Sequence, residues 1–332
     1  MGWPVAVIAH RAHRLHEAAG RQKHGMTSHH MRGTCAHPPP TRHAANTVTE
    51  DSVPDRLPPA TWPATPAGAA PHPAGQDDGR IDRGDGVALA YHRHLPKMWA
   101  PGPGIVFLGG FRSDMTGTKA MALDTFCART GRPYLRFDYS GHGASDGAFE
   151  DGCISRWVDD ALVMIDRLTD GPLVLVGSSM GGWIMLRVAL ARPDRVKALI
   201  GIAAAPDFTQ RLMWPDMTAD QQAALLRDGR IEIPSAYDPE PTVITRRLIE
   251  NGRDNLLLDD PIRFDGPVRL LHGLDDPDVP WRLSLDTAQA LTARDVRVEL
   301  VKGGDHRLSE PGDIAMLTRT IDEVARLVVE AD

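Results

Sequence analysis

The stretch LVLVGSSMGGW, Leu173 to Trp183, is an apolar run that stops abruptly at two serines boxed by glycines. Leu173–Val176 has the unbroken apolar composition of a strand buried on both faces, and GGWIMLRVALAR behind it reads as a helix ending before Pro193. A serine at such a strand-to-helix turn sits in strained backbone, and small residues two positions to either side relieve the crowding. Ser179 has them in Gly177 and Gly181, whereas Ser178 would have Val176 and Met180. Ser179 is therefore the candidate nucleophile. The next amide, that of Met180, opens the helix, where its N–H and the helix dipole can hold an oxyanion. The competing reading is a glycine-rich turn with an inert serine.

Outward from this turn, strands and helices alternate as a parallel sheet requires. VALAYHRH from Val87 reads as an edge strand and GIVFLGG, Gly104 to Gly110, as a short buried one. KAMALDTFCART has helical spacing and YLRFDYS is a strand. ISRWVDDALVMIDRL then places Ile154, Trp157, Val158, Ala161, Leu162, Ile165 and Leu168 on one helical face. After the strand VKALIGIAAA, residues Asp207 to Asp260 read as helices and loops without a strand, an insertion. The sheet resumes at Val268 with VRLLHG. A helix over Arg282–Ala293, the strand RVELVKGG and a last helix with Ile314, Leu317, Ile321, Val324 and Leu327 on one face complete the pattern.

Eleven of the 27 prolines and nine of the 14 histidines of this 332-residue chain precede Gly79, in a segment with no sustained apolar period. Residues 1–78 are expected to be a disordered Pro/His-rich tail and 79–332 one α/β domain. The tail histidines, His29 and His30 among them, lack the fixed spacing of a metal site. Residues 1–49 carry six Arg and Lys against the single acid Glu17, the charge balance of an organelle transit peptide. A start codon placed too far upstream, or a functionless tail, gives the same pattern. The short run WPVAVIA does not make a signal peptide, and no run is long enough to span a membrane. Three cysteines, Cys35, Cys127 and Cys153, form neither a metal pattern nor a disulfide framework, so a reducing compartment, the cytoplasm, is expected, with the mitochondrion as the alternative. A net charge of −7 and the lack of a basic stripe argue against nucleic acid.

A serine hydroxyl needs a base within reach and a third group to orient that base. Downstream, LLHGLDDPDVP ends one strand and offers Asp275, Asp276 and Asp278, and VKGGDHRLSE ends the next and offers His306. Serine, acid and histidine then follow three successive strand ends in chain order. His142, in DYSGHGASDG, precedes Ser179 and is expected to build a tight loop beside the site. His272 belongs to the loop leading to the acid and is expected to be structural.

With these motifs in place, the chain from Gly79 to Asp332 resembles the α/β-hydrolase superfamily of serine hydrolases. The blocks GTKAMALDTFCA, RFDYSGHGASDG, VGSSMGGWIMLRVALARP, RLLHGLDDPDVPW and DHR are similar, in order and spacing, to its palmitoyl-protein thioesterase and acyl-glucuronide esterase branch. The resemblance implies an α/β-hydrolase fold, a mostly parallel central sheet flanked by helices with a small helical cap over about 207–262. It implies Ser179 as nucleophile, His306 as base and Asp276 as acid, since Asp276 stands three residues before Val279-Pro280. The second oxyanion donor would be the Phe111 amide, where this chain has Gly-Gly-Phe in place of the more frequent His-Gly-aromatic.

The expected activity is hydrolysis of acyl esters or thioesters through an acyl-serine intermediate, on a small-molecule or acylated-protein substrate, with no cofactor and no metal. A general carboxylesterase for small or medium acyl esters and a catalytically silent hydrolase-fold binding protein are the alternatives. In the insertion, Phe208, Leu212, Met213, Trp214, Met217, Leu225, Leu226 and Ile231 supply apolar surface that could shelter an acyl chain or pack a small core of its own.

Overall fold

In the computed structural model, residues 75–98, 100–234 and 239–331 are described, so the expectations for Cys35 and for most of the N-terminal tail lie outside these residues. Among the described residues an eight-stranded sheet runs in the order β1-β2-β4-β3-β5-β6-β9-β10. Its strands are β1 (Gly75–Asp82), β2 (Ala88–Leu95), β3 (Gly104–Leu108), β4 (Tyr134–Phe137), β5 (Leu173–Ser178), β6 (Val196–Ile202), β9 (Val268–Gly273) and β10 (Val296–Val301). All pairs from β4 to β10 are parallel; β2 joins β4, and β1 joins β2, antiparallel.

Composition tracks position in the sheet. Strands β3, β4, β5 and β9 are buried at every residue, β3 and β5 as near-continuous apolar runs covered on both faces, whereas the edge strand β10 has no buried position and mixes half-buried with exposed ones. On one face α1 (Thr118–Thr130) and α7 (Pro311–Ala331) bring Leu123, Cys127, Leu317, Ile321 and Val324 onto Ile105, Val174 and Ile200. The alternate residues of the same strands face the opposite layer, where α2 (Ile154–Leu168) and α3 (Met180–Ala191) pack together. Every residue of the predicted α2 face is buried. In α7 the buried stripe is rotated from the expected one: Met316, Thr320 and Val328 are buried, while Ile314 and Leu327 are half-buried.

Two expectations are corrected. The strand from Val87 is not an edge, because β1 covers it, and β1 begins at Gly75, so the expected boundary between residues 78 and 79 cuts through a strand. Asp77 accepts from Arg93 at 2.8 Å and Asp78 meets the His92 ring at 2.5 Å across that pair. GQDDGRID has one large apolar residue, so no hydrophobic alternation marked it as a strand.

The insertion also contains strands. Between β6 and β9 it runs through a π turn (Thr209–Met213), α4 (Ala219–Asp228), an antiparallel pair β7 (Arg230–Ile233) and β8 (Thr242–Thr245), and α5 (Arg246–Asp254). The strands are four residues each, below the length at which alternation separates from loop. Buried Asp207 closes the base of the insertion, its carboxylate accepting from the amides of Leu257 and Leu258 at 2.9 and 2.8 Å. Helix α6 (Arg282–Ala290) links β9 to β10. Among the described residues no helix is long and apolar enough to cross a membrane.

Candidate active site

Ser179 lies between β5 and α3 at φ 55°, ψ −119°, a conformation that costs a non-glycine residue about 1–3 kcal/mol. The neighbours make it possible. A Cβ at Gly177 would collide with the Gly181 carbonyl, and one at Gly181 with the carbonyls of Leu108 and Gly109. The turn is held from the sheet side, where the Ser179 amide donates to Ile202 O at 2.9 Å and the Ser179 carbonyl accepts from Ala205 N at 3.0 Å. Ser178 is the last residue of β5, in register with Ile202.

The loops after β9 and β10 bring the remaining groups to this turn. His306 Nε2 stands 3.1 Å from Ser179 Oγ, and its Nδ1–H donates to Asp276 Oδ2 at 2.8 Å. Each loop is braced by its own backbone. Asp276 Oδ1 accepts from the amides of Asp278 and Val279, both at 2.8 Å, and Asp305 Oδ1 accepts from those of Arg307 and Leu308. The loops also bond each other through Leu274 N to Val301 O and Asp275 N to Gly304 O.

His272 does more than lead to the acid. Its fully buried ring accepts from the Ser284 hydroxyl at Nδ1 (2.7 Å), which leaves Nε2–H to be shared between Asp276 Oδ2 (3.1 Å) and Val279 O (2.9 Å). Burial by itself would raise the Asp276 carboxyl; the hydrogen bonds from His272 and His306 and the Val279 amide overturn that and hold it well below the usual carboxylate range. Asp276 is thus an anion at neutral pH. Of the three candidate acids, Asp275 is exposed, while Asp278 is buried beside Asp276.

The loop after β3 closes the opposite side. Gly110 packs beside Ser179, where a Cβ would lie in ordinary van der Waals contact, 3.5 Å from the Ser179 Cβ. Phe111 is buried, its ring edge-on to Phe149, Trp157 and Phe208. Met180 is the first residue of α3, and its N–H is one of those a helix start leaves outside the intrahelical ladder. His142 sits under this loop rather than at the serine: Nδ1–H donates to Ser140 O at 3.2 Å, and Nε2 accepts from the Arg112 amide at 3.2 Å. Burial first, and the Arg112 charge after it, push the His142 imidazole down to about 4, so it stays neutral and keeps that acceptor. The Arg112 side chain continues outward to Pro241 O and Thr242 Oγ1 at 3.2 and 3.0 Å, tying the loop to β8 of the insertion.

A cavity of about 180 Å³ opens at Ser179 and His306, walled by Gly110, Phe111, Ser113 and Lys119. Lys119 donates to Arg307 O, and its burial lowers the ammonium to about 8. None of the eight apolar insertion residues named above lines this cavity; Phe208, Met213, Met217 and Leu225 are buried, and Leu226 is exposed. Beyond Ser113 and Asp114 lies a second cavity, about 330 Å³, between Arg112, His142, Phe149 and the β8 residue Val243.

The sequence singles out Ser179, His306 and Asp276, and the fold brings these three together. It missed the second imidazole on Asp276, the burial of Asp278 and the Arg112 bridge. The His-Gly pair closing β9 was a signal for the first; the other two depend on contacts made across the fold.

Comparison with known proteins agrees with this fold. A family model described as the alpha/beta hydrolase fold matches residues 116–231. Palmitoyl-protein thioesterase ABHD10, mitochondrial, of Homo sapiens is 41% identical over 245 residues, 74% of this chain and 78% of the relative. Among solved structures, a putative hydrolase from Agrobacterium vitis S4 superposes with a TM-score of 0.72 at 42% identity, covering 76% of this chain and 100% of that one. Alpha/beta hydrolase domain-containing protein 10 from mouse gives 0.68 at 40% identity over 74% and 97%.

Proposed function

The chain belongs to the α/β-hydrolase family and is an ester- or thioester-cleaving hydrolase, and from that premise we propose that it works through an acyl intermediate on Ser179. The observation that carries this reading is the continuous chain Ser179 Oγ, His306, Asp276 at 3.1 and 2.8 Å. His306 takes the serine proton as Oγ attacks the acyl carbonyl, and the amides of Met180 and Phe111 hold the negative charge that develops on the carbonyl oxygen. The C–S or C–O bond then breaks, with His306 returning the proton to the leaving group. Water, deprotonated by the same ring, releases the acid and frees Ser179. Asp276 keeps His306 in the tautomer this requires and stabilises its charged form.

For the substrate we propose the class named by the relatives, S-acyl groups on protein cysteines, since the shared chemistry and 41% identity support it. One observation favours a second reading, a carboxylesterase for short acyl esters. The cavity at Ser179, about 180 Å³, is a closer match to a short acyl group than to a long acyl chain, unless the chain passes Ser113 and Asp114 into the second cavity. A fluorophosphonate probe should label the protein and fail to label Ser179→Ala. A panel of p-nitrophenyl esters and S-acyl peptides of graded length then decides between the two substrates: kcat/KM rising to long S-acyl chains supports the first, and a maximum at two to four carbons with no thioester preference supports the second.

We also propose a mitochondrial address for the chain: the relatives are named mitochondrial, and residues 1–49 have a transit peptide's charge balance. Import into isolated mitochondria with loss of the leading segment would support it over the cytoplasm.

A further inference from the structure

The loop after β9 carries a carboxylate to which the scheme above gives no task. Asp278 is 2% exposed, and neither of its oxygens has a hydrogen-bond partner. One of those oxygens, an oxygen of Asp276 and a ring nitrogen of His306 all lie within 4.8 Å of one another. The Asp278 amide donates to Asp276 Oδ1, so main chain and side chain of the same residue serve the acid and lie beside the base.

A buried carboxylate without a partner opposes folding, and an apolar side chain of similar size would fill the space without that penalty. Packing therefore gives no reason for Asp278. Its charged surroundings do. The groups that face it are His306, Asp276, Arg307 and Asp305, and of these only His306 changes charge during acyl transfer. We propose that Asp278 is a second carboxylate for His306, a positioning residue that stabilises the imidazolium formed each time Ser179 gives up its proton.

The logic is differential. In the resting enzyme His306 is neutral, and Asp278 is buried beside the like charge of Asp276. When His306 becomes cationic, Asp278 gains a counter-charge it lacked, so the interaction is stronger in the transition state than in the ground state, the condition for accelerating a reaction. Burial holds the Asp278 carboxyl up at about 6, with His306 drawing it down and Asp276 pushing it up. With its carboxyl held up toward neutral pH, Asp278 contributes to the acid limb of the rate profile. The inference rests on the Ser179–His306–Asp276 reading.

The test is the pH dependence of kcat/KM for Asp278→Asn and Asp278→Leu, with thermal melting of each. Removing a negative charge beside an imidazolium lowers its pKa, so the acid limb should move to lower pH by about half to one unit. The plateau should fall about three- to tenfold, and the melting temperature should hold or rise, most clearly for Asp278→Leu, which removes the unpaired carboxylate. An unmoved limb in both variants, or a loss of rate that follows a fall in melting temperature, overturns the proposal. Ser179→Ala, run alongside, separates the two readings: if it still hydrolyses substrate the triad assignment fails, and if it is silent while the limb stays put only the role of Asp278 falls.

Discussion

The turn at Ser179 and the loop at Asp276 both cap strands of one sheet, and the residues around them are fixed by different forces. At Ser179 the constraint is steric and local. A left-handed serine, with backbone carbonyls pressed against Gly177 and Gly181, leaves a pattern of small residues at fixed offsets that can be read within five positions. In the Asp276 loop it is electrostatic and distant. Three aspartates stand within four positions, and what separates them is which one meets two imidazoles from β9 and the loop after β10, which one is buried without a partner, and which one faces water. Sterics write themselves into neighbouring residues; charge compensation does not.

The sharpest break of this comparison is Ser179→Ala against Ser178→Ala. The first should lower kcat by on the order of 10⁶-fold, because nucleophile and base act as a unit, and the second should keep most activity. Steady-state hydrolysis with fluorophosphonate labelling reads both, and a silent Ser178→Ala would move the elbow by one residue. Next in size is the acid. Asp276→Asn should cost on the order of 10⁴-fold in kcat, while exposed Asp275→Asn should stay within about twofold. Equal losses would mean that the loop as a whole, and not one carboxylate, orients His306.

Stability gives the third contrast. Gly177→Ala drives a methyl into the Gly181 carbonyl and should destabilise by about 1–3 kcal/mol or more in denaturant melts, with activity falling alongside. A tolerated alanine would show that the turn relaxes more easily than its contacts suggest. The smallest effect belongs to the sheet edge. A chain starting at Gly75 should melt a few degrees above one starting at Gly79, which loses half of β1 together with the Asp77–Arg93 and Asp78–His92 pairs. Matched melting curves would show that the Gly75–Asp78 half of β1 adds nothing to the domain. EDTA should leave the rate unchanged, because both His306 ring nitrogens are already engaged, Nδ1 by Asp276 and Nε2 by Ser179.

How far the chain could be read follows the same division. The central strands announce themselves because burial on both faces demands unbroken apolar runs, and α2 because one buried face demands a 3.6-residue period. β1 stayed hidden because an edge strand with polar side chains obeys only backbone pairing, which any composition can satisfy. The β7–β8 hairpin was missed for its brevity, although Ile231, Ile233, Val243 and Ile244 are good strand formers. In the site, glycine spacing separated Ser179 from Ser178 without help. Asp276 needed the resemblance to known hydrolases, and the burial of Asp278 had no local mark at all. The apolar residues of the insertion were visible, but whether they face a substrate or one another depends on how the insertion folds, and Phe208 and Leu225 are buried without lining the cavity at Ser179.

Asp207 fixes where the insertion begins and ends as well as closing its base. By bonding Leu257 and Leu258 it brings the two ends of the excursion together and seals them, so the sheet meets a closed buckle whatever is threaded through it. Closing a longer loop costs only about 0.6 kcal/mol for each doubling of its length. What lies inside the buckle can therefore vary in length at small entropic cost, and the Arg112 bridge to β8 is where such a change would reach the loop beside Ser179.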